Sequence, residues 1–174
     1  DSYIPSCFSN DLKTIVTAGM NKIDIRDMKG EIIRSLKFND FKPLSVTLSA
    51  DKHYVVSGSY NQIGFWDLTS GTKRIIDAHK YTRVSVSISS DNKYVLSSGY
   101  GSEPYYTHND STVILWDIKG YRIRSFKEAC QISYSSFSPA RNNIVIVNIN
   151  GIIKVYNITG ELLYTLKTNQ IGID

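Results

Sequence analysis

A unit of 40 residues recurs along this chain, and that period constrains the fold more than any other feature of the sequence. Its clearest copies end on a Trp-Asp pair followed by a glycine turn: Trp66-Asp67 in "NQIGFWDLTSG" and Trp116-Asp117 in "STVILWDIKG". The same frame returns as Arg26-Asp27 in "NKIDIRDMKG" and as Tyr156-Asn157 in "GIIKVYNITG". From 26 to 66, 66 to 116 and 116 to 156 the intervals are 40, 50 and 40 residues, so the middle interval is one period carrying ten extra residues.

The rest of each unit stays in step. "SCFSND", "SVTLSAD", "SVSISSD" and "SYSSFSPA" supply a first strand, and "TIVTAG", "YVVSGS", "YVLSSG" and "IVIVNI" a second. The Trp-Asp-like pair closes a third, and the turn at Gly30, Gly71, Gly120 or Gly160 leads to "EIIRSLK", "TKRIID", "YRIRSFK" or "ELLYTLK". Four short strands per period, divided by Asn, Asp, Gly and Ser turns, predict an all-β repeat. No segment holds a 3.6-residue apolar period over helical length. Alternation at Val46/Leu48, Val84/Val86/Ile88 and Val113/Leu115 gives each sheet two packing faces.

Composition narrows the function classes. The 174 residues are 41% hydrophobic, enough for a core, but no apolar run approaches a bilayer span and no signal-peptide pattern opens the chain. The start at Asp1-Ser2-Tyr3, without Met, reads as a processed or excised piece. The net charge of +4 is spread over single basic residues such as Lys13, Lys22, Arg26, Lys29 and Arg34 rather than a block, which permits a nucleic-acid partner without arguing for one. Cys7 and Cys130, in separate segments, predict free thiols and a reducing location, cytoplasmic or nuclear. There is no Gly-rich phosphate loop and no His-Glu-x-x-His, and His53, His79 and His108 stand apart, so no catalytic residues, cofactor or metal are expected.

The period, the Trp-Asp pairs and Asp77-Ala78-His79, which stands where a Gly-His dipeptide would be, make the chain similar to the WD-repeat family of β-propellers over essentially its whole length. The resemblance implies a β-propeller of four-stranded antiparallel blades with four blades present, at about 2–38, 39–78, 79–128 and 129–174, forming an open arc or partial propeller. It also implies a buried hydrogen-bond chain in blade three through Asp110, His79, Ser97 and Trp116. A Ser-His-Asp set could suggest a hydrolase, but a serine inside a packed blade has no oxyanion hole. Blade two keeps Ser57 and Trp66 but has Tyr60 and Asn39 at the Asp and His positions. Blade one has Met20 and Arg26 at the Asp and Trp positions, and blade four Asn150 and Tyr156. These three blades are therefore expected to rest more on apolar packing.

Four blades leave two end faces, each with roughly 300 Å² of apolar sheet by strand rise and spacing. The expected cover is the remaining blades of a longer propeller, with a second copy or subunit against blades one and four, or closure as an unusually tight four-blade ring, as the alternatives. The ten extra residues fall in "SGYGSEPYYTHND", Ser98 to Asp110, a loop the resemblance places on the partner-binding face. Candidate partner-binding residues there are Tyr105, Tyr106, His108 and Asn109, joined by Arg83, Ser85 and Tyr134. The function expected is a non-catalytic protein–protein interaction scaffold within a larger assembly, with no membrane partner. RNA binding through the basic, Tyr-bearing surface is the alternative, and a propeller-based hydrolase a third.

Overall fold

The protein is described from a computed structural model, whose described residues are 4–80, 82–100, 110–139 and 142–168. They form four sheets, each of four antiparallel strands laid side by side in chain order. The first holds β1 (Ser6–Phe8), β2 (Thr14–Gly19), β3 (Lys22–Asp27) and β4 (Ile32–Lys37). The second holds β5 (Ser45–Leu48), β6 (Tyr54–Gly58), β7 (Gln62–Asp67) and β8 (Lys73–Asp77). The third holds β9 (Arg83–Ile88), β10 (Tyr94–Tyr100), β11 (Thr112–Asp117) and β12 (Arg122–Lys127). The fourth holds β13 (Ile132–Phe137), β14 (Ile144–Asn148), β15 (Ile152–Tyr156) and β16 (Leu162–Lys167). No helix occurs among the described residues.

Side-chain chemistry explains the repeated turns. Ser9 and Asp11, Ser49 and Asp51, and Ser89 and Asp91 hydrogen-bond in pairs, and each Ser Oγ also accepts the N–H that opens the second strand, from Thr14, Tyr54 or Tyr94. The Asp after the Trp position does a second job. Asp27, Asp67 and Asp117 each accept two backbone N–H groups of the turn into the outer strand, and Asn157 accepts one. The turn then needs a left-handed residue, and Gly30, Gly71, Gly120 and Gly160 supply it at φ 75–88°. The Trp-Asp pair with a Gly after two or three intervening residues is therefore a strand end with its own cap.

Packing between sheets makes the core. Because side chains alternate across a strand, neighbouring residues feed opposite interfaces. Val55 joins the cluster shared with sheet one, and Val56 the cluster shared with sheet three. Val95 and Leu96 repeat that division one sheet further on. The first strands β1, β5, β9 and β13 touch in succession and so form the inner side of the row. Gly58 marks the closest approach: a Cβ there would lie 2.0 Å from the Val84 carbonyl oxygen, which already accepts Ser45 Oγ at 2.8 Å.

The two ends of the row differ. On sheet four, Ile144 and Ile146 point into the shared core, so Val145 and Val147 point away, on the side where Tyr164 and Leu166 are 63% and 58% exposed. Sheet one instead ends on Phe8, Ile15 and Thr17 beside the charged Asp24 and Arg26. Its end is more polar than expected. One boundary also shifts: β10 runs on through Tyr100, pairing Ser98, Gly99 and Tyr100 with Ser85, Val84 and Arg83. The extra residues thus begin after Tyr100, not at Ser98, because Gly99 lets the strand pass where a Cβ would strike Thr82 at 2.7 Å.

Candidate functional site

Blade three carries a continuous buried chain. The Trp116 indole N–H donates to Ser97 Oγ at 2.9 Å, Ser97 Oγ lies 2.8 Å from His79 Nε2, and His79 Nδ1 lies 2.8 Å from Asp110 Oδ2. With the indole donating to it, the Ser97 hydroxyl is free to donate to Nε2, which assigns the His79 proton to Nδ1, facing the carboxylate. Asp110 also accepts the Thr112 N–H at 2.9 Å and the Thr112 hydroxyl, a partner that sequence spacing did not single out. Burial alone would raise the Asp110 pKa, but the hydrogen bonds from His79 and Thr112 carry it down to about 2. Ser97 is fully buried and occupied on both sides, so it has no route to a substrate.

The other blades fill the equivalent place by different chemistry. In blade two the Ser57 hydroxyl donates to the Ser45 carbonyl at 2.6 Å, Asn39 is exposed, and Trp66 Nε1 is buried without a hydrogen-bond partner among the described residues. Trp66 is held instead by Phe38 and Phe41, with ring centroids 5.5 Å away in each case. Its ring also covers Gly64, where a Cβ would sit 2.2 Å from it. That blade rests on apolar packing, as expected.

Blades one and four also pack apolar residues into the core, but each adds a buried carboxylate cluster that the sequence reading did not anticipate. In blade one the buried Asp24 carboxylate takes Arg26 and Lys22, each at 2.9 Å, and Ser35 Oγ at 2.6 Å. Burial would raise its pKa, but these hydrogen bonds and the two cations lower it. Where blades three and four meet, the buried Glu128 that follows β12 holds Lys154 Nζ at 2.8 Å and the Tyr156 hydroxyl at 3.4 Å, and the Phe126 ring lies tilted against that of Tyr156, centroids 4.9 Å apart. An Arg or Tyr at the Trp position thus comes with its own carboxylate.

The outward-facing candidate lies on the edge where second strands turn into third strands. There a cleft of about 720 Å³ is lined by Ile4, Ala18-Gly19-Met20, Lys42-Pro43-Leu44, Tyr60, Arg83 and Tyr100. Three blades contribute, and buried hydroxyls brace the walls. Ser59 Oγ donates to the Lys42 carbonyl at 2.6 Å, and Thr82 Oγ1 donates to the Tyr100 carbonyl at 3.1 Å. Tyr60 forms a β-bridge with Arg83, and Asn61, left-handed at φ 61°, accepts the Thr82 N–H through Oδ1 at 3.0 Å. The cleft is built before anything enters it.

Of the sequence-derived partner residues, Arg83 lines this cleft. Ser85 sits half-buried on β9, and Tyr134 is exposed on β13. Tyr105, Tyr106, His108 and Asn109 lie outside the described residues. Lys42, Met20 and Tyr60 form walls that sequence reading did not assign to binding. The only available signal was their place beside strand starts and turns. Among the described residues, no group of three or more His, Cys, Asp or Glu side chains is placed to hold a metal.

Four antiparallel four-stranded blades whose inner strands touch in series define a partial β-propeller. The family model described as WD domain, G-beta repeat matches residues 71–117, the segment that ends on the Trp116-Asp117 pair. That match spans one repeat, and the repeated four-stranded build of the other sheets is consistent with a WD-repeat propeller; WD repeats generally mediate protein–protein interaction. No curated protein matches the chain.

Proposed function

We propose that these blades are a non-catalytic scaffold that presents the edge bearing the second-to-third-strand turns to other proteins in a larger assembly. The observation that carries this reading is the braced cleft between blades one, two and three, with Met20 78% and Tyr60 40% exposed at its walls. A large, preformed concavity with exposed aromatic and thioether groups suits a protein partner. Arg83 belongs to this surface. Ser85 and Tyr134 join it by position, and Tyr105, Tyr106, His108 and Asn109 by sequence alone.

The apolar far side of blade four enters the same reading as the seat of a further blade, from a longer chain or a second copy, since its pattern repeats the faces buried between blades. A reducing compartment, cytoplasmic or nuclear, accords with the two free thiols of Cys7 and Cys130.

The test is affinity purification of the tagged full chain followed by quantitative mass spectrometry. Wild type is compared with a Tyr60→Ala/Met20→Ser variant of unchanged melting temperature. The variant should lose a defined subset of co-purifying proteins. An identical set from both would refute the scaffold reading at this edge.

A further inference from the structure

Each joint between neighbouring blades is built from the same repeated positions. On the leading blade, Leu36, Ile76 and Phe126 of the outer strand pack into the three interface clusters. Two residues before them, Arg34, Arg74 and Arg124 reach the following blade's turn. Arg34 Nη1 donates to the Leu68 carbonyl, and Arg74 lies 4.5 Å over the Tyr121 ring. Arg124 passes so close to Gly160 that a Cβ there would meet its Cδ at 2.7 Å. From the following blade, the residue after the turn Asp or Asn (Leu68, Ile118 or Ile158) packs into the same cluster.

Each end face carries one half of this joint. On blade four the corresponding outer-strand residues are Tyr164 and Leu166, both more than half exposed. On blade one the residue after Asp27 is Met28, 55% exposed. Ile15, which pairs with Arg26, is only half-buried. Val55, Val95 and Ile144, which pair with the same frame position in the other blades, are fully buried.

Resting on the reading of blade four's far side as the seat of a further blade, we propose that blade one of a second copy fills it. Two copies then close head to tail into one ring. The exposed halves are complements: Tyr164 and Leu166 lack a following turn to pack on, and Met28 and Ile15 lack a preceding outer strand. Two copies of four blades make eight, at the upper end of the range propellers occupy. A head-to-tail contact either closes or grows into a filament, and area favours closure. One joint covers two faces of roughly 300 Å², too little for a stable dimer, whereas the two joints of a ring cover roughly 1,200 Å². The charged residues on blade one do not oppose it. Asp24 is already buried under Arg26, Lys22 and Ser35, and the joint between blades three and four holds a comparable pair, Glu128 with Lys154.

The experiment is size-exclusion chromatography with light scattering on the full chain over a hundred-fold range of concentration. Wild type should have twice the mass of one chain and grow no further. Leu166→Glu and Met28→Glu, each at an exposed side chain, should both give monomers with the circular dichroism of wild type. Should either fail to fold, Leu166→Ser and Met28→Ser replace them and should weaken the dimer at least ten-fold.

A monomeric wild type would overturn the proposal and leave the seat to a blade from elsewhere. So would a mass that climbs past two copies. A dimer lost in the Leu166 variant but intact in the Met28 variant would overturn it too, in favour of blade four pairing with itself. If wild type is monomeric while Tyr60→Ala/Met20→Ser still loses co-purifying proteins, the ring falls and the scaffold reading stands. An unchanged co-purifying set beside an intact dimer sinks the scaffold reading at that edge and supports the ring.

Discussion

The Trp116 indole N–H donates to the Ser97 hydroxyl at 2.9 Å, a bond that Trp66, at the same place one blade earlier, lacks. Two tryptophans in equivalent positions therefore contribute by different means, one through a hydrogen bond and packing, the other through packing alone. Replacing Trp116 by Phe removes the donor and disturbs a buried chain, whereas replacing Trp66 by Phe also removes an unsatisfied N–H. Trp116→Phe should thus cost about 1–2 kcal/mol more than Trp66→Phe in urea unfolding. Equal losses would show that the hydrogen bond adds nothing.

Asp110 gives that chain a pH dependence of known sign. Its pKa in the folded protein, about 2, lies below the ~3.9 of an unfolded Asp, so its charge stabilises the fold above the unfolded value and the gain is lost as pH falls through the folded one. Asp110→Ala should cost about 1–3 kcal/mol at pH 7. The gap between variant and wild type should narrow mainly from about pH 4 to pH 2. A gap constant across that range, measured by urea midpoints, would show that the carboxylate acts without its charge.

Gly58 sits where blades two and three meet backbone to side chain. A methyl group there would lie 2.0 Å from the Val84 carbonyl oxygen and 2.7 Å from Ser45 Oγ, and the carbonyl is part of a strand and cannot rotate away. Gly58→Ala should therefore destabilise by about 3 kcal/mol or more, beyond the usual overpacking cost of ~1–3 kcal/mol. Gly30→Ala, with open space around the site, should cost only the strain of its positive φ. Melting temperatures of the two variants test the contrast.

Where blades three and four meet, Glu128 is buried with Lys154 and Tyr156 upon it. Glu128→Ala leaves an ammonium with no partner at a half-buried position and should cost about 2–3 kcal/mol, less than a fully buried pair because Lys154 can reach water. Lys154→Met should cost less than Glu128→Ala if Tyr156 still binds the carboxylate. Chemical denaturation of both variants would reveal the order.

Cys7 packs against the core between blades one and two, and burial pushes its thiol up to about 11 despite a backbone hydrogen bond from Leu48. At pH 8 almost none of it is thiolate, the reactive form. Iodoacetamide followed by peptide mass spectrometry should find Cys7 largely unmodified in the native protein and modified after urea unfolding. Rapid native labelling would mean that the blade one–blade two interface opens readily.

Much of this architecture was open to reading in the linear order of residues. Within the 40-residue period, the Ser-x-Asp turns and the Trp-Asp pair with its following Gly are local: each places a donor, an acceptor or a left-handed residue within a few positions of the group it serves. Strand alternation is local too, so the sheets and their two packing faces follow from it. Asp110, His79, Ser97 and Trp116 were legible through the resemblance to WD repeats, which implies that those positions join in one chain although 31 residues separate the first two.

What no local pattern held was how side chains from different strands and blades would meet. Arg26 reaches Asp24 from two positions along the same strand, but Asp24 with Ser35, and Glu128 with Lys154 and Tyr156, become partners only when strands align. The cleft joins Met20, Lys42, Tyr60 and Arg83 from three blades, and the far face of blade four is apolar because of which side of β14 its valines occupy. Residue order along a strand sets which way a side chain points; only the stacking of one sheet on the next decides what it points at, since burial and charge pairing depend on distances the chain itself does not specify.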